Sequence, residues 1–86
     1  EGVAVAAASG VELDADVVEK SMAILDNAGT GATASMQRDI MEGKPSELDA
    51  QLGAIVRLAR ESNVDVPVTA MIYNALMPQE RRARGL

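Results

Sequence analysis

Between Leu48 and Ala59 the apolar residues Leu48, Leu52, Ile55, Val56 and Ala59 recur at i, i+4, i+7, i+8 and i+11. That repeat is one face of an α-helix and does not fit the two-residue alternation of a strand. The spacing returns twice: Val17, Val18, Ser21, Met22, Ile24, Leu25 and Ala28 form such a face upstream, and Val68, Met71, Ile72, Ala75 and Leu76 form another downstream. No strand-like alternation of useful length occurs, and the chain is expected to be all-α, a helical bundle. The side chains available for its core agree with this. Alanine dominates the apolar set, with one Tyr and no Phe or Trp, and small, straight side chains favour helices packed closely on helices. Met22, Met36, Met41, Met71 and Met77 are expected to fill gaps in that core.

Stop and start signals divide the chain into helix-length pieces. Gly2 to Ser9 is helical by propensity but has no N-cap signal ahead of it, so it resembles the tail of a helix begun elsewhere, with Gly10 as its stop. Asp14 or Asp16 can cap the second helix, and Asp16-Val17-Val18-Glu19 has capping-box spacing. Asn27-Ala28-Gly29-Thr30-Gly31 ends it. A short helix follows from about Thr33 or Ala34 to Glu42, stopped by Gly43 and Lys44-Pro45. Ser46 caps a longer one over about Glu47 to Ser62, in which Gly53 lets a neighbouring helix approach closely. Asn63 is expected as its C-terminal cap, and Pro67 starts the last helix. Pro78 is expected to break that helix, leaving Gln79 to Leu86, with Arg81, Arg82 and Arg84, as a frayed or separately helical tail.

At 86 residues the chain fits one domain, and one this small buries only about 60% of the surface its unfolded form exposes, so its stability is expected to be marginal. The absence of cysteine and histidine removes disulfides, thiolate metal sites and the commonest acid-base group. Metal ligation is not expected. A net charge of −5 opposes nucleic-acid binding, which needs a basic footprint. No apolar run approaches the roughly 20 residues that span a bilayer. No basic leader followed by an apolar stretch precedes the first helix, and a cytoplasmic location is the default.

Polar groups concentrate at two successive helix starts within Ser35-Met36-Gln37-Arg38-Asp39-Ile40-Met41-Glu42-Gly43-Lys44-Pro45-Ser46-Glu47-Leu48-Asp49. Ser35 lies in a first turn, where backbone N–H groups lack internal partners and the dipole favours an anion such as a carboxylate. A serine or threonine there ordinarily does no more than cap. Glu47, beside Ser46, is likewise stabilised by the helix dipole without needing a function. Asp39 and Asp49 have the character of structural first- or second-turn acids. Arg38 and Lys44, which can attract an anion, have that of solvated charges.

The segment resembles the signature of the ketopantoate reductases, in which Ser-Met-x-x-Asp opens one helix and Gly-(basic)-x-(Ser/Thr)-Glu-(hydrophobic)-Asp opens the next. Gly53 to Glu61 and Val66-Pro67-Val68 extend the likeness. It implies a C-terminal helical domain over residues 1–86, resembling part of the 6-phosphogluconate dehydrogenase C-terminal-domain-like fold. It also implies a parent that reduces 2-dehydropantoate with NADPH in pantothenate biosynthesis. By resemblance, Ser35 contacts the 2-oxo acid substrate and Glu47 the nicotinamide side of the cofactor. The family's general-acid lysine and its Gly-x-Gly-x-x-Gly Rossmann domain have no counterpart in these residues, so no catalytic residue is assigned and the fragment is expected to be inactive alone. Ala34, Ala32 and Gln51-Leu52 depart from the family pattern, which leaves a reductase of another 2-oxo acid as an alternative. A free-standing helical interaction or dimerisation module is another. Apolar stripes on so small a chain predict a homo-oligomer.

Overall fold

The computed structural model describes residues 1–29 and 31–86; Thr30, in the expected second-helix terminator, lies outside the described residues. Among the described residues five α-helices run in order: α1 Gly2–Ala8, α2 Val17–Asp26, α3 Ser35–Met41, α4 Ala54–Glu61 and α5 Pro67–Ala83. A π-helical turn, Asp49–Gly53, leads without interruption into α4. The described residues contain no strand. The all-α expectation therefore holds, and the helix expected over Glu47 to Ser62 is present with its first turn widened to π geometry.

The stops of α1, α3 and α4 are where the sequence puts them. Gly43 and Asn63 both take left-handed backbone, with φ of 71° and 54°. Around each, a Schellman closure forms: Lys44 N–H donates to Asp39 O at 2.8 Å and Val64 N–H to Ala59 O at 2.9 Å. Gly10 ends α1 in the same way, Val11 N–H donating to Ala6 O at 2.8 Å. Pro67 occupies the first turn of α5, as expected. At α2 the structure corrects the reading. Asp16 precedes the helix but its carboxylate makes no cap bond, pairing instead with Lys20 at 3.2 Å.

The interior is small. Val5 of α1, Ala59 of α4 and Val66 before α5 are buried together, with Ile55 and Val64 against them. Leu48, at 0% exposure, is the largest fully buried side chain. Helices α1, α4 and α5 and the π turn pack on one another. By contrast α2 buries none of its residues: Val18, Met22, Ile24 and Leu25 are all exposed. The radius of gyration is 14.6 Å, against about 12 Å for a compact domain of this length. The molecule is flat, 39 × 35 × 17 Å.

Two further expectations fail here. Three of the five methionines are not core fillers: Met22, Met41 and Met71 are exposed, Met71 at 66%, while Met36 and Met77 are partly buried. On α5 four residues of the expected face, Val68, Met71, Ile72 and Ala75, point to solvent and only Leu76 is partly buried, while Ala70, Tyr73, Met77 and Glu80 form the shielded face. Nor does Pro78 end α5, which runs through it to Ala83. A proline in a helix interior costs about 3 kcal/mol, having no N–H and clashing with the preceding turn. The segment beyond it is held by bonds from Gln79, Glu80 and Arg84 to distant parts of the chain.

Candidate functional site

Ser35 is the first residue of α3. Ala34 before it is extended, with φ −93° and ψ 157°, and no side chain caps the helix, so Ser35 is not the cap. Its side chain is exposed. The entry to α3 is fixed from below by Arg38, whose Nη1 donates to Thr33 O at 2.8 Å and Thr33 Oγ1 at 2.7 Å. At the other end of α3, Gln79 Nε2 donates to Ile40 O at 2.8 Å and ties the helix to α5. Asp39 is partly buried. Lys44 pairs with Glu42 at 2.8 Å, which lifts the lysine above its ordinary value and holds Glu42 below its own, in each case chiefly through their shared hydrogen bond.

Ser46 and Glu47 stand at the entry to the π turn. Ser46 is the expected cap: its Oγ accepts from Leu48 N–H at 3.2 Å. The same residue is gripped from α5. Glu80 accepts Ser46 N–H at 2.8 Å on one carboxylate oxygen and Ser46 Oγ–H at 2.7 Å on the other. Arg84 completes the clasp, Nε donating to Glu80 Oε1 at 2.9 Å and Nη2 to Ser46 O at 2.6 Å. Ser46 and Glu80 are each 3% exposed. Burial by itself would raise the Glu80 carboxyl, but bonds from Ser46 Oγ, Ser46 N–H and Arg84 prevail and hold it below the usual carboxylate range. Glu47, next in the chain, is exposed, and its Oε2 accepts from Gln51 Nε2 at 2.7 Å.

The π turn carries a second polar cluster. Asp49 Oδ1 accepts from Arg57 Nη1 at 3.0 Å and from the Tyr73 hydroxyl, and Asp49 O accepts from Arg57 Nη2 at 3.1 Å. The Tyr73 bond first, then Arg57, lowers Asp49, while the Asp49 bond and then burial raise Tyr73. Gly53 makes the cluster possible. A Cβ there would lie 2.5 Å from Asp49 Oδ1, 2.9 Å from Arg57 Nη1 and 3.0 Å from Tyr73 Cε2. The close approach expected at Gly53 is thus that of Tyr73 on α5. Tyr73, Met77, Glu80, Arg81 and Arg84 also line a groove with Asp49. Ser35 and Glu47 lie outside it, and no hydrogen bond joins the two to each other.

Sequence reasoning found the two helix starts and missed what holds them, namely Gln79, Glu80 and Arg84. A signal was present: Glu80 and Arg84 are spaced i, i+4 with the acid first, the favourable order on a helix, and Arg81 and Arg82 suit a C-terminal turn. Glu1 was missed as well. Its carboxylate accepts from Val68 N–H at 2.9 Å, Thr69 N–H at 2.7 Å and the Thr69 hydroxyl at 2.6 Å, capping α5 from the residue before α1. Those bonds, the Thr69 hydroxyl foremost, lower the Glu1 carboxyl.

The model of the family described as "Ketopantoate reductase PanE/ApbA C terminal" matches residues 1–80. The chain belongs to this family. It is 35% identical over 81 residues to a 2-dehydropantoate 2-reductase of Halobacterium salinarum, covering 94% of this chain and 26% of that protein. Over 76 residues it is 35% identical to proteins of the same name from Caulobacter vibrioides and Mycobacterium tuberculosis, covering 88% of this chain and 26% of each. The chain thus spans about a quarter of the length of these relatives. No solved structure matches it. Among the described residues, no helix is long and apolar enough to cross a membrane.

Proposed function

We infer that the chain is the substrate-side helical domain of an NADPH-dependent reductase that converts 2-dehydropantoate to pantoate. The observation that carries this reading is the pair Ser35 and Glu47, each exposed at the start of its own helical segment, within a chain that matches the ketopantoate reductase C-terminal family over residues 1–80. In the parent protein the rest of the polypeptide supplies the dinucleotide-binding domain and the general-acid lysine.

The residues present fit a peripheral contact to the cofactor and no more. Glu47 offers an exposed carboxylate whose only hydrogen bond among the described residues is to a neighbouring amide, suited to accept from a ribose hydroxyl. NADPH, when bound, supplies the hydride for the ketone. Ser35 acts on the substrate side: its exposed hydroxyl, in the first turn of α3, donates to the 2-oxo acid. This chain holds and orients; the proton for the forming alkoxide comes from the lysine outside it.

Full-length enzyme tests the roles separately. Glu47→Ala is expected to weaken NADPH binding and lower turnover, and Ser35→Ala mainly to raise the KM for 2-dehydropantoate. Unchanged kinetics in both variants would overturn the reading. A parent that turns over a different 2-oxo acid at higher kcat/KM would retain the site and replace the substrate.

A further inference from the structure

The clasp closes on the residue immediately before Glu47, and it grips that residue's backbone on both sides. The Glu80 carboxylate takes the Ser46 N–H and hydroxyl, and the Arg84 guanidinium takes the Ser46 carbonyl, which belongs to the peptide bond leading into Glu47. Burial on the far side adds to this, since Leu48 is fully enclosed. Glu47 therefore projects into solvent from a stretch whose neighbours are immobilised on both sides.

The geometry points to Glu80, with Arg84, as the positioning device for Glu47: the end of α5 sets the direction in which the cofactor-side carboxylate is presented. This rests on the reading of Glu47 as a cofactor contact. Glu80 touches no ligand in this scheme. Its effect on NADPH is transmitted through Ser46, and a carboxylate misplaced by even a fraction of a hydrogen-bond length loses its partner.

The test is a double-mutant cycle in the full-length reductase, using Glu80→Gln, Glu47→Ala and the pair. NADPH dissociation constants come from cofactor fluorescence, the KM for 2-dehydropantoate from steady-state rates, and folding from the thermal midpoint. Glu80→Gln keeps the shape of the side chain and removes its charge. It is expected to weaken NADPH about 3- to 10-fold, in the range of coupling carried through one hydrogen-bond network or a backbone shift, and to leave the KM for 2-dehydropantoate within about twofold. In the Glu47→Ala background the same change is expected to have no further effect on NADPH. Equal weakening in both backgrounds, or none in a folded Glu80→Gln enzyme, overturns the inference alone. If Glu47→Ala by itself leaves NADPH binding unchanged, the reading of Glu47 falls and this inference with it. Should Glu80→Gln fail to fold, two other variants carry the same cycle: Ser46→Ala, which removes one bond of the clasp, and Arg84→Gln, which frees the Ser46 carbonyl. Weakening of NADPH that disappears in the Glu47→Ala background supports the inference there too, and weakening that persists overturns it.

Discussion

Two amphipathic helices of this chain, α2 and α4, look equivalent in sequence and fare oppositely in the fold. Each has a helical apolar stripe and a clear stop. Along α4 and its π turn the stripe is covered: Leu48 and Ala59 are buried, and Leu52, Ile55 and Val56 are partly so. Along α2 every residue is at least partly open, and Val18, Ile24 and Leu25 are each more than half exposed. The difference lies in what surrounds each stripe. The first turn of the α4 segment is fixed by long-range polar bonds from α5, and α1 lies against its end. Among the described residues no comparable bond reaches α2, whose side-chain bonds are local: Lys20 to Asp16 and Asn27 to Ala23. Periodicity determines that a face is apolar, and only the three-dimensional neighbourhood determines whether that face is buried.

The contrast can be broken most directly at Leu48. Leu48→Ala removes a fully enclosed side chain and is expected to cost about 3 kcal/mol in chemical denaturation, which in a domain this small leaves little folded material. Glu80→Ala comes next. It leaves Ser46 N–H and Oγ without their acceptor in a buried setting and should cost about 2 kcal/mol. Because the native carboxyl sits below its ordinary value, its contribution is present above the ordinary carboxylate range near pH 4.5 and is lost as the pH falls through the lowered value. Thermal midpoints of the Glu80 variant should accordingly fall less steeply with acid than those of the parent sequence. Gly53→Ala should lose about 1 kcal/mol, since contacts of 2.5 to 3.0 Å at the new Cβ exceed the gain in helix propensity.

The smallest effects sharpen the comparison from the other side. Val18→Gln and Leu25→Gln on α2 are expected to change the stability of this chain by no more than about 0.5 kcal/mol, and to reduce self-association in sedimentation at high concentration. In hydrogen exchange, α2 amides should open well before those of α4. Tyr73 offers a probe confined to the packed half, being the only aromatic residue. Its phenol, raised first by the Asp49 bond and then by burial, should ionise above the usual value near pH 10 in an ultraviolet titration. Asp49→Asn should bring that midpoint back down.

Much of this architecture is written locally. Gly10, Gly43 and Asn63 end their helices because left-handed backbone is needed where each stands, and Ser46 caps because its hydroxyl reaches the second N–H beyond it. The helix starts beside Ser35 and Glu47 were legible for the same reason, being local events. The rest depends on partners distant in the chain. Pro78 signals a stop by every local rule, yet α5 continues, because Glu80 and Arg84 meet Ser46 and Gln79 meets Ile40 on segments more than thirty residues away. The misread face of α5 has the same origin. Its apolar residues stand out in the sequence, whereas its packed face is organised by Tyr73 and Glu80, whose partners Asp49 and Ser46 cannot be identified from α5 alone.

The bonds from Glu1 to the start of α5 bridge residues 67 and 68 positions apart. Bringing ends so far apart together carries an entropic penalty before any contact repays it. During folding, α2 and α3 can therefore flicker in and out early, as local turns do, while the docking of α1 against α4 and α5 waits for the whole intervening chain.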